Sequence, residues 1–202
     1  MRGPSDELTR LLEKFRAGEL SDQQLLENIA ALDGANSPSE PDHATSQPED
    51  ERRCGARIVD RLDTYRAAEQ SGADTLETWA DLSDDAALVG GLRTAAAREA
   101  KHAVLLEQRL RELGGTPRAE IPESIARYNA AFTDPDATDL QRLELLTERF
   151  PDVEAAVVPL MEFVDSIEDD ELTRELLKAI CVDELATLRW AHEAFRVRKL
   201  DQ

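Results

Sequence analysis

The stretch AAAREAKHAVLLEQRLRELGG (95–115) decides how the rest of the chain reads. Extended back to Leu88, it places Leu88, Leu92, Ala95, Glu99, His102, Leu106, Leu110 and Leu113 at steps of three and four, which is one face of an α-helix. Gly114-Gly115 followed by Pro117 ends that helix in the usual C-terminal manner. The face is apolar except at Glu99 and His102. Residues three apart on a helix share a side, so the two polar groups can reach one point.

Upstream, Ser83-Asp84-Asp85 supplies a turn and an N-cap. Before it, Ile58, Leu62, Tyr65, Glu69, Gly72, Leu76 and Trp79 form a second seam with steps of four and three, predicting a helix from about Glu51 to Leu82. Glu69 precedes the turn by about as many residues as Glu99 follows it. At ~1.5 Å per residue both lie roughly 21–23 Å from the turn and face each other.

The second half repeats this spacing. Glu154 stands thirty residues before Glu184, as Glu69 stands thirty before Glu99, and Thr187 occupies the place of His102. A third helix is expected from near Asp139 to near Ile167, with the seam Leu146, Phe150, Glu154, Val157, Met161 and Val164. Pro151 and Pro159 fall inside it, so a kink or a split is expected. Glu168-Asp169-Asp170 make the next turn, and the last helix carries Leu177, Ile180, Glu184, Thr187, Ala191 and Ala194. The connection at 114–138, broken by Pro117, Pro122 and Pro135, has room for a short helix at Glu123–Ala131. Two helical hairpins joined by one long crossover build an antiparallel four-helix bundle, so the fold class read here is all-α. Residues 51–202 form that bundle, 1–33 an N-terminal helical hairpin too small to hold a core alone, and 34–50 a flexible linker without large apolar residues.

The formal charge of −19 argues against nucleic acid, whose phosphates need clustered Lys and Arg. Cations and basic protein surfaces are better partners. No apolar run approaches the ~18 residues of a membrane span, and no secretory signal is visible at Met1–Glu7. Cys54 and Cys181 are isolated, which excludes a tetrathiolate metal knot within the chain and favours a reducing, cytoplasmic setting.

Four seam glutamates at matching depth among Leu, Ile, Val, Ala and Met would repel one another and raise their pKa values unless positive charge is present. The pattern therefore predicts a metal site at Glu69, Glu99, His102, Glu154 and Glu184. A lone Glu-x-x-His has a plain alternative, a core histidine hydrogen-bonded to Glu69 or Glu99.

On these residues, and on 95–115 in particular, the chain resembles the ferritin-like (rubrerythrin-like) superfamily of di-iron carboxylate proteins over about 51–198. That resemblance implies a ferritin-like bundle in which Glu99 and Glu184 bridge two irons, Glu69 and Glu154 are terminal ligands, and His102 completes one iron. It implies iron at a di-iron or partly occupied site, with manganese as the alternative ion, an oxidoreductase working on oxygen or peroxide, and a homo-oligomer. Thr187 departs from the family pattern, because a hydroxyl is a much poorer donor than imidazole and leaves the second position weak. A degenerate bundle serving as a structural or interaction module is the competing expectation.

Overall fold

Helix α1 (Gln47–Leu82) and helix α2 (Ala86–Glu112) form a long hairpin, followed by α3 (Glu123–Ala130), α4 (Asp139–Arg149), α5 (Val153–Ala156), α6 (Val158–Asp165) and α7 (Glu171–Leu200). The computed structural model describes residues 47–200, which are helical with no strand among them. The expected hairpin at 1–33 and the linker up to residue 46 lie outside the described residues. The last four residues of the expected linker already belong to α1. No helix among the described residues is long and apolar enough to cross a membrane.

The hairpin turn is capped as its sequence predicts. The Asp85 carboxylate accepts from the backbone N–H groups of Ala87 and Leu88 at 2.9 and 3.1 Å. It also receives Arg198 from the end of α7 at 3.0 Å, tying the last helix to the turn. At the other end of α2, Gly114 takes φ +81°, a conformation that costs a glycine nothing. The chain then runs back along α1. Asp63 accepts from Arg66 at 2.8 Å and from the backbone N–H groups of Arg118 and Ala119 at 2.7 and 2.6 Å.

The core is two apolar clusters. One joins Ile58 and Leu62 of α1, Leu106 and Leu110 of α2, Phe163 and Val164 of α6, and Leu177 and Ile180 of α7. The other joins Trp79 and Ala80, Leu88 and Leu92, Phe132, Leu143 of α4, and Ala191 and Ala194 of α7. These pairings run α1 antiparallel to α2 and α2 antiparallel to α7. Each fully buried leucine contributes about 2 kcal/mol. The polar seam residues fall between the clusters, so both ends of the seam are closed by hydrocarbon.

The expected third helix is split into α4, α5 and α6. Pro151 disfavours helical torsions at Phe150, which sits at φ −125°, ψ 65°. Asp152 caps the short α5 by accepting from Ala155 N–H at 3.0 Å, and Pro159 opens α6. His192 of α7 hydrogen-bonds the Phe150 carbonyl at 2.8 Å, satisfying a group the break exposes.

Candidate metal centre

Three of the five expected ligands meet. Glu69 from α1, His102 from α2 and Glu184 from α7 each offer one donor atom, and these atoms all lie within 4.8 Å of one another. His102 Nδ1 is 3.0 Å from Glu69 Oε2 and 4.0 Å from Glu184 Oε1. Metal–nitrogen and metal–oxygen bonds of ~2.0–2.2 Å put neighbouring donors about 3 Å apart and opposite donors about 4.2 Å apart, so this trio is close to the spacing that one ion requires. The His102 side chain is 6% exposed and that of Glu69 12%. Two carboxylates and an imidazole suit a divalent transition metal.

The other nitrogen of the ring is held as well. His102 Nε2 lies 3.1 Å from Asp183 Oδ2. With Nε2–H donating to Asp183, Nδ1 turns its lone pair toward Glu69 and Glu184, which is the tautomer a metal ligand needs. Asp183 is not among the residues that the spacing singles out. Its position beside Glu184 on α7 brings both carboxylates against α2, where one ring spans them. The readable signal was the acidic pair 183–184 together with the demand of a buried imidazole for two partners.

Glu99 is the fourth acid. Its carboxyl rests against Gly72 of α1, so closely that a Cβ on residue 72 would lie 1.8 Å from Glu99 Oε2. A glycine in the α1 seam is therefore what admits Glu99 to the centre. Burial, then the charges of Glu184 and Glu69, push its pKa up to about 9. Burial and the Glu69 charge push Glu184 up to about 7, with His102 opposing. Burial works against the imidazolium of His102, but the hydrogen bonds to Glu69 and Asp183 and the surrounding acid charge outweigh it, and its pKa is raised. Without a metal ion the cluster thus holds protons at neutral pH.

Glu154 does not join the centre. Its side chain is 64% exposed and pairs with Arg189 at 2.7 Å, which holds its carboxyl below the usual range. The seam was counted through Pro151 as though one helix ran on. The break at 150–152 resets the phase, so the residue that would face inward on a continuous helix faces solvent on α5. Thr187 lies beside Glu184 in the wall of a cavity. His192, bonded to the Phe150 carbonyl, does not take the place of the absent histidine.

The same regions contain acids that are satisfied without a metal. Asp139 accepts from Trp79 Nε1 at 2.7 Å and Ser83 Oγ at 2.6 Å, and pairs with the buried Arg142 at 3.2 Å. Asp170 accepts from Arg109 at 2.8 Å and from the Thr173 backbone N–H at 3.0 Å. These networks fasten both ends of the helices that present the centre. Comparison with family models, with characterised proteins and with solved structures finds no match to this chain.

Proposed function

We propose that the chain is a metal-binding protein of ferritin-like build, in which α1, α2, the α4–α6 run and α7 act as the four helices of a bundle. One divalent ion, iron or manganese, is held by Glu69, His102 and Glu184, with Glu99 alongside. The observation that supports this is the meeting of three donors from three helices within 4.8 Å, between two apolar clusters. The departure of Glu154 to the surface favours one tight position over a symmetric pair. Any second ion would depend on Glu99, Glu184 and Thr187 and would be weakly held.

When bound, an iron ion supplies Lewis acidity and one-electron chemistry with oxygen or peroxide. The chain's own residues do the rest. Asp183 fixes the His102 ring, Glu99 stands beside the three donors, and the flanking apolar clusters limit water. The competing reading, a scaffold without metal, is favoured by the absence of the second histidine and by the Glu154–Arg189 pair.

Metal content of the purified protein, followed by anaerobic titration with ferrous and manganous ions, separates the two. The metal reading expects about one tightly held equivalent, lost in His102→Ala and Glu69→Gln, and an absorbance change when the ferrous form meets air. No tight equivalent, or uptake unaltered in His102→Ala, overturns it.

A further inference from the structure

Next to the acid cluster lies a cavity of about 240 Å³. Its walls include Leu76, Trp79, Phe132, Leu146, Phe150 and Leu160, and Glu99, Glu184 and Thr187 line it too. Gly72, against which Glu99 rests, and Trp79 both belong to it. They are two helical turns apart, so the cavity extends about 10 Å along α1 from the carboxyls to the indole.

Two features mark it as a binding chamber rather than a packing defect. An apolar cavity of ~150 Å³ already admits benzene, so the one here has room for a ring with a few further atoms. It is lined by aromatic rings at one end and by the Glu99 and Glu184 carboxyls at the other, with no hydrogen bond to Glu99 among the described residues. Native interiors rarely leave such groups unmet, and a bound molecule is one way of meeting them.

We infer that this cavity binds a small, ring-sized and mainly apolar molecule bearing one hydroxyl or amine group, with the ring toward Trp79 and Phe132 and the polar group toward the Glu99 and Glu184 carboxyls. Anionic ring compounds are excluded, because a carboxylate would face the existing acids. Binding is independent of the metal, whereas a role for the ligand as substrate rests on the metal reading proposed above.

The test uses 4-ethylphenol as probe and 4-ethylbenzoate as its anionic counterpart, titrated calorimetrically into the full metal-free chain. Saturable one-to-one binding of the phenol is expected, with the benzoate at least tenfold weaker. Ala156→Phe, which puts a ring into the cavity wall, is expected to weaken the phenol at least tenfold and to leave metal stoichiometry unchanged. Thr75→Leu, on the opposite wall, gives the same result by an independent route should the first variant fold poorly, with folding checked by circular dichroism. No saturable phenol binding, or equal binding in both folded variants, overturns the inference. A chain that takes up metal but no phenol defeats the cavity alone. A chain that takes up phenol but no metal defeats the metal reading alone.

Discussion

Replacing Glu99 by Gln tests the placement of the acid cluster without using metal. The Glu99 carboxyl has its pKa raised from 4.5 to about 9, so the folded chain keeps a proton there that the unfolded chain gives up. A carboxyl with a raised folded pKa favours the folded state only below its unfolded value, and that support is lost as pH rises toward the folded value. At 1.36 kcal/mol per unit, the burden on the metal-free protein is about 3 kcal/mol at pH 7 and below about 1 kcal/mol at pH 5. Gln has the shape of the protonated acid and needs no proton. Metal-free Glu99→Gln is therefore expected to be more stable than the parent at pH 7 by up to about 3 kcal/mol, or ~6–12 °C in melting temperature for a chain of this size. The advantage should shrink to almost nothing by pH 5. Urea denaturation of both proteins in chelator at pH 5, 7 and 8 measures it. A variant equal to the parent at all three values would refute a buried Glu99 among acids.

Asp183→Ala should weaken metal binding about 10–100-fold with little change in melting temperature, because it removes the acceptor that orients His102, read by manganous-ion titration. Gly72→Ala puts a methyl group where the Glu99 carboxyl lies, and should cost ~1–3 kcal/mol in denaturant midpoint analysis; adding Glu99→Ala should restore most of the loss. Glu154→Ala should leave metal stoichiometry and affinity unchanged, since that side chain serves only an exposed pair with Arg189, and a loss of tight binding in the same titration would return it to the ligand set.

Helix limits were legible because turn chemistry states them directly. Asp85 as N-cap and Gly114 as the left-handed C-terminal residue lie where spacing and composition put them, and the short helix at Glu123–Ala130 ends one residue from its expected limit. The split of the third helix was legible from two prolines. Its consequence was not, because periodicity carries phase only along an unbroken helix. Glu154 was assigned by counting from Leu146 across Pro151, and the count fails at that point. Glu69, Glu99, His102 and Glu184 all lie on uninterrupted helices, and there spacing sufficed. Asp183 was missed for a different reason. A seam written as single positions assigns one residue per turn to the interior, whereas α7 turns the boundary between 183 and 184 toward α2, so both acids reach one imidazole.

A strongly acidic chain could place carboxylates anywhere, and what distinguishes this cluster is how its charge is balanced. Asp63, Asp85, Asp139 and Asp170 each have an arginine partner, backbone N–H or side-chain hydroxyl donors, or both. Glu69, Glu99 and Glu184 have no guanidinium within ion-pair distance among the described residues. Arg66 is committed to Asp63 and to the Ala119 carbonyl, and Arg98 reaches only the outer oxygen of Asp183, at 4.0 Å. One imidazole is thus set against four acids, and the shortfall is met by holding protons on Glu99 and, in part, on Glu184. Proton uptake of that kind disfavours the fold at neutral pH, and an arginine in place of Thr187 would relieve it at once. Gly72 instead gives up its own side-chain space to the Glu99 carboxyl. Small residues beside uncompensated acids make structural sense when the missing positive charge arrives as an ion, because a divalent ion displaces the protons and neutralises the carboxylates in one step.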